Sequence, residues 1–278
     1  MLKPLKILLQ TTIPFVEDDW HIGRFSGLAR SLSALPDVEV TARDRATPAG
    51  TDDPVIASLD RSDFDELWLF AVDTGDGLTA AECEAISRFR QRGGGMMVTR
   101  DHTDLGSSIC LLGGVGAAHF FHSRNLDPDE SRRCRDDHDT TAIDWPNYHS
   151  GANGDFQVLR VAGEPHPVLA GVTRLPAHPH EGAVGAPADD PSARVIATGF
   201  SQASGRAFNL AVAFERGPDG GRAIAQSTFH HFADYNLDPS KGAPSFVAEP
   251  PGDGFAREPA ALAETYRYFE NLARWLAP

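Results

Sequence analysis

The chain has 278 residues, 41% of them hydrophobic and 23% charged, the balance of a globular protein with enough length to bury a sizeable core. A formal charge of −14 excludes nucleic acid and anionic membrane surfaces as partners, because both select for Lys and Arg. The three cysteines, Cys83, Cys110 and Cys134, have neither zinc nor redox spacing and imply a reducing, cytoplasmic setting, and the apolar N-terminal run is too short to span a membrane.

Residues 5–11 are apolar and β-prone and end in polar side chains, which predicts a central parallel strand. Residues 23–35 carry Phe25, Leu28, Ala29 and Leu32 near helical spacing until Pro36 and Asp37 stop the helix. Strands follow at 38–41 and 64–72. Thr79 and Glu82 have the spacing of a capping box, so a helix starts there and runs to about Arg92, where the glycines at 93–95 end it. Met96 to Thr99 form the next short strand. Strands alternating with helices predict an α/β protein built on a parallel sheet.

The signal weakens between about 120 and 155, a segment rich in Asp, Arg, His and Asn and too long for a plain connection, so it reads as a functional excursion within one domain spanning 1–278. Trp145, Tyr148, Phe120 and Phe121 there either wall a sugar-binding cleft or form a small core under the excursion. Strands are expected at 156–161, 194–199, 208–214 and 222–228, a loop at 240–256, and a closing amphipathic helix at 258–276.

The most informative stretch follows the strand at 96–99. Arg100, Asp101, His102, Thr103 and Asp104 place five polar side chains at the C-terminal end of a buried strand, where open α/β sheets build their sites. No Cys or Ser stands there in a nucleophile elbow. His230 and His231, with Asp234 beyond, end a second buried strand, and two strand ends carrying His and Asp to one crevice define a candidate site. His119 and His122 have the spacing that puts two imidazoles on one helical face, and with His230 they are the candidate metal ligands; no third ligand is fixed by spacing. His21, His138, His149 and His178 read as polar loop or hydrogen-bonded histidines. Zincin, dinucleotide and Walker patterns are absent from the sequence.

Four segments together resemble the ThuA-like (trehalose-utilisation) family, a branch of the class I glutamine-amidotransferase-like fold. Residues 64–98 are similar to the family's strand, helix and Gly-Gly-Gly strand. Thr103 and Asp104 match its next turn. His166, Pro167, Gly171, Leu175, Pro176 and Glu181 match a D-H-P…G-L-P…D-E passage, and Gly221, Arg222, Ser227 and His230 match a G-R…S…G-H strand end. The sequence departs from the family where the turn histidine falls on Arg100, where Ala183 and Val184 replace an aromatic, and over 124–153.

The resemblance implies a flavodoxin-like three-layer sandwich with a mainly parallel sheet. It also implies a small-molecule enzyme without glutamine hydrolysis, since the nucleophilic cysteine is missing, and by analogy a homodimer. The expected reaction is that of a hydrolase or a lyase/isomerase on a sugar or polyol derivative. His230 is then the general acid or base, with Asp101 or Asp104 orienting it, while His102 and Arg100 bind or polarise a substrate oxygen. His122 and Glu181 close the site or hold a divalent metal, and His231 and Asp234 bind substrate. Two other classes stay open: a non-catalytic binding module, and a metal-dependent hydrolase.

Overall fold

The order of the strands explains where the site must lie. The protein, here a computed structural model, is described over residues 3–141, 143, 154–218, 220–248 and 250–278. Ten strands are present among them: β1 (Leu5–Thr11), β2 (Val38–Arg43), β3 (Glu66–Phe70), β4 (Gly95–Thr99), β5 (Phe156–Val158), β6 (Arg160–Val161), β7 (Arg174–Pro176), β8 (Ala193–Phe200), β9 (Ala207–Phe214) and β10 (Ala223–Gln226). Eight of them form one sheet in the order β2-β1-β3-β4-β10-β9-β8-β6. The first five in that order are mutually parallel, and β9, β8 and β6 add to the β10 edge in antiparallel fashion. This is a mainly parallel α/β sheet of flavodoxin-like strand order, whose ligand crevice lies outside the carboxyl ends of the strands.

The helices are α1 (Ser26–Ser33), α2 (Ala80–Gln91), the single turns α3 (Asp136–Asp139), α4 (Asp234–Leu237) and α5 (Gly254–Arg257), and α6 (Pro259–Leu276). Alternation along the strands divides them into two layers. Ile7, Leu9, Trp68, Phe70, Met97 and Ile224 pack against Leu28 and Leu32 of α1 and Phe269, Leu272 and Leu276 of α6. Leu8, Leu67, Leu69, Met96 and Val98 face Cys83, Ile86 and Phe89 of α2. The capping box of α2 forms as the spacing predicts: Thr79 accepts from the Glu82 amide at 3.2 Å, and the Glu82 carboxylate accepts from the Thr79 amide at 2.8 Å. Gly95 opens β4 because a Cβ there would lie 2.4 Å from the Leu276 carbonyl oxygen at the end of α6.

Three expectations change. The strand expected over 156–161 is two short strands in different sheets: β5 pairs with β7, and β6 joins the edge of the main sheet at β8. The loop expected over 240–256 contains the turn α5. His119 and His122 do not share a helical face, because a 3₁₀ turn ends at Ala118 and His119 is extended, bridged to Val184. Trp145, Tyr148 and His149 lie outside the described residues. Among the described residues, no helix is long and apolar enough to cross a membrane.

Candidate functional site

Three neighbouring strands deliver the site. After β3, Asp73 is buried and acts as a strut: its carboxylate accepts from Thr12 Oγ1 at 2.6 Å and Ser108 Oγ at 3.1 Å, tying the ends of β1 and β3 to the turn beyond β4. That turn, residues 100–104, has Thr103 in the left-handed region at φ 55° and is anchored by the Thr103 amide donating to Asp136 Oδ2 at 2.7 Å. Gly182 lets the segment after β7 close against it, since a Cβ would sit 2.6 Å from the Asp101 carbonyl oxygen and 2.7 Å from Arg100 Nε.

The turn splits its side chains between interior and crevice. Arg100 points inward, fully buried over the Phe121 ring at 4.1 Å. Its guanidinium donates to the carbonyls of Phe120, Ala183 (3.3 Å) and Thr103 (2.5 Å), with Asp136 at 4.0 Å. Burial lowers its pKa to about 10, so the group stays charged at neutral pH. Arg100 is thus placed as an internal cation holding loop carbonyls, and it does not line the crevice beside it.

Asp101 takes the other direction. It is 5% exposed, and its Oδ2 lies 3.5 Å from His230 Nε2, which arrives from the end of β10. His230 Nδ1 faces Asn236 Oδ1 at 3.2 Å, and Asn236 Nδ2 donates to the Ala177 carbonyl at 3.2 Å. The Asn236 amide is thereby oriented oxygen toward histidine, which assigns the proton to His230 Nδ1 and leaves Nε2 facing Asp101. Asp101 Oδ1 is buried without a hydrogen-bond partner.

His178 lies flat on His230, with ring centroids 3.5 Å apart and planes 6° from parallel. Its Nδ1 accepts the His180 amide at 3.3 Å. Burial first, then the neighbouring His230 and His180, push its pKa well below the ordinary value of 6.5, so the ring is neutral. Just outside, His102 Nδ1 and His180 Nδ1 converge on Asp137 Oδ1 at 2.5 and 3.0 Å. Burial raises the Asp137 pKa, but the two histidines outweigh it and hold the carboxylate below its usual range.

The resulting crevice has a volume of about 440 Å³ and is lined by Asp101, His102, His178, His180 and His230 on the polar side and by Trp20, Phe229, Phe246 and Val247 on the apolar side. Among the described residues, no cysteine lines it. Two groups of side chains bring ligand atoms within 4.8 Å of one another, Asp101–His178–His230 and His102–Asp137–His180.

Several residues singled out in the sequence lie elsewhere. Glu181 and His231 face each other at 3.0 Å in a buried network with Gln157, Ser227 and Gln226. Asp234 caps α1, accepting from the amides of Ser26 and Gly27 at 3.1 and 2.7 Å. Asp104 accepts the Ser123 amide at 2.9 Å, and His122 meets Asp136 at 2.5 Å. His119 is fully buried with neither ring nitrogen hydrogen-bonded. His178 is a buried, hydrogen-bonded histidine as expected and also lines the crevice, and His180 and Asp137 were not among the expected site residues. The signal for the first two was the His178-Pro179-His180 spacing, which puts both rings beside one another on an extended segment. Asp137 had none, because α3 is set by tertiary contacts of the excursion.

No family model matches the sequence, and no curated protein matches it either. Solved structures do. A protein from Parabacteroides merdae described as ThuA-like superposes with a TM-score of 0.52 at 16% identity, over 99% of this chain and 90% of its own. A cytoplasmic protein from Salmonella typhimurium LT2 (TM-score 0.47, 10% identity, 98% and 100% covered) and a GMP synthase protein from Thermoplasma acidophilum (0.42, 10%, 97% and 98%) superpose too loosely to bear on the site. The class of protein is therefore settled at the level of fold: an α/β protein with a mainly parallel sheet. Within that class the chain resembles ThuA-like proteins, as the sequence segments imply.

Proposed function

We propose that the protein is an enzyme acting on a small polyhydroxylated molecule, a sugar or polyol derivative, by proton transfer between the substrate and the Asp101–His230 pair. The supporting observation is the meeting of these two side chains, from the ends of the adjacent parallel strands β4 and β10, in one buried corner of the crevice. With Nδ1 held by Asn236, His230 directs Nε2 at the place where a proton must be taken or given. The neutral His178 ring extends this polar wall, and Phe246, 60% exposed, offers an apolar face for a sugar ring, with Trp20 and Phe229 packed behind the wall. A crevice of about 440 Å³ is in the range of small-molecule sites. With no cysteine among its described lining residues, thiol chemistry on glutamine has no nucleophile to use.

The test is a panel of sugars, polyols and their oxidised or dehydrated derivatives, followed by NMR for turnover and by thermal shift for binding. His230→Ala is expected to abolish turnover while still folding cooperatively, at a lower unfolding temperature because the ring is buried against His178 and Phe229. Full activity in the variant would exclude His230 as the proton-transfer group.

A further inference from the structure

We propose that Asp101, His178 and His230 bind a divalent transition-metal ion of the zinc class at the floor of the crevice. The inference rests on the crevice being the working site and revises its chemistry: with the ion bound, His230 Nε2 and Asp101 would be ligands and no longer free to exchange protons with a substrate.

The first argument is geometric. Asn236 Oδ1 engages Nδ1 of His230 and leaves Nε2 turned toward Asp101 Oδ2, 3.5 Å away in a buried corner, and ligand atoms of Asp101, His178 and His230 all lie within 4.8 Å of one another. The second is the orphaned oxygen: Asp101 is 5% exposed and its Oδ1 has no hydrogen-bond partner, although it lies beside a histidine pair. A carboxylate bound to an ion needs no such donor. The third is the support behind the ligand. His230 donates its far nitrogen to Asn236, which is itself oriented by Ala177, the kind of outer contact that fixes the tautomer of a metal-binding imidazole.

The donor set selects the ion. Two imidazoles and one carboxylate suit zinc or iron(II), whereas magnesium and calcium prefer oxygen ligands. Three protein ligands at the floor of an open crevice leave a coordination position facing the substrate. His178 is the ligand that must adjust: its ring is parallel to that of His230, so its lone pair runs alongside rather than converging. Binding would require the His178 ring to move off this stack, and the contact it would give up, His180 N–H to Nδ1 at 3.3 Å, is a long one. His102, Asp137 and His180 lie further out around a half-exposed carboxylate and are assigned no ion.

The full-length protein, stripped with a chelator and dialysed, is titrated with cobalt(II), read by visible absorption, and with zinc(II) in competition with a chromophoric chelator. One ion per chain is expected. Asp101→Asn and His178→Gln should each weaken zinc by more than the ~10–100-fold that Asn236→Ala, which removes only an orienting partner, should cost. His102→Gln should stay within ~10-fold, the low end of such outer effects. Should the ligand variants not fold, NMR of the histidine ring nitrogens in the parent decides: zinc must shift His178 and His230. An absence of binding at micromolar protein, or wild-type affinity in folded Asp101→Asn and His178→Gln, overturns the site. Zinc binding without any small-molecule turnover supports the ion and counts against the enzymatic reading. Turnover by stripped protein that binds no zinc does the reverse.

Discussion

Replacing His119 by leucine should stabilise the protein, and more so in acid. His119 is fully buried beside Ala118, Phe121 and Val184, and both ring nitrogens lack partners. Its backbone contacts, the amide to the Gly116 carbonyl at 3.1 Å and the carbonyl to Asn125 Nδ2 at 2.7 Å, survive any side chain. An unsatisfied buried polar group costs about 1–3 kcal/mol, so leucine, close in volume and apolar, should recover an amount of that order at pH 7. Burial, and secondarily Arg100, keep the His119 pKa well below its ordinary value of 6.5. The folded ring therefore stays neutral while the unfolded ring takes up a proton as the pH falls below about 6.5. The unfolded state then binds more protons, and stability is lost on acidification. Between pH 7 and pH 5 this linkage is worth at most about 2 kcal/mol, a loss that leucine removes. Urea denaturation of parent and variant at the two pH values measures both parts; His178, also neutral, is common to both proteins and cancels. A variant no more stable at pH 7, or a stability gap that does not widen at pH 5, would refute the placement of this ring.

Glu66 carries the opposite pH signature. Burial raises its pKa well above the usual carboxylate value, against the Trp68 Nε1 donor at 2.8 Å, so its stability is intact below the unfolded pKa and lost as pH rises through the folded one. Glu66→Gln should exceed the parent at pH 8 by at least ~1 kcal/mol, with the gap closing near pH 4, as read by denaturation at both values. Gly182→Ala forces a Cβ to within 2.6 Å of the Asp101 carbonyl oxygen and should cost about 1–3 kcal/mol. It should also weaken ligand binding in calorimetry, because the displaced backbone is that of the site. Arg100→Lys replaces a fork by a point charge beneath three carbonyls and should destabilise by about 2–4 kcal/mol in the same denaturation assay, with unchanged stability counting against the interior placement.

The parts of the fold legible in the sequence are those written in local period and capping. β1 has the expected ends, α2 has its capping box, and α6 has its apolar stripe, because each is decided within its own residues. The break at Leu159, which sends β5 and β6 to different sheets, depends on β7, whose three residues carry no readable alternation. At the site, Asp101 and His230 were legible because each ends an apolar strand. Arg100 looked the same in sequence, yet alternation within the turn sends it inward and Asp101 outward. Glu181 and His231 were found as polar residues near the right strands, but they bind each other, a pairing between residues 50 apart that spacing does not encode.

The interior cation at Arg100 also limits what this surface can become. The carbonyls of Phe120, Ala183 and Thr103 come from three separate segments and share one guanidinium as their donor. A nucleophile placed at that position by a single substitution would take the donor from the Phe120 and Thr103 carbonyls and leave that of Ala183 with the Phe120 amide alone, at 3.0 Å. Reaching thiol chemistry from this sequence would require the loops to be rebuilt before the cysteine could be useful. The turn is therefore a commitment of the whole rim, and new activities are more readily reached by changes at Asp101, His178 and His230 than at the residue before them.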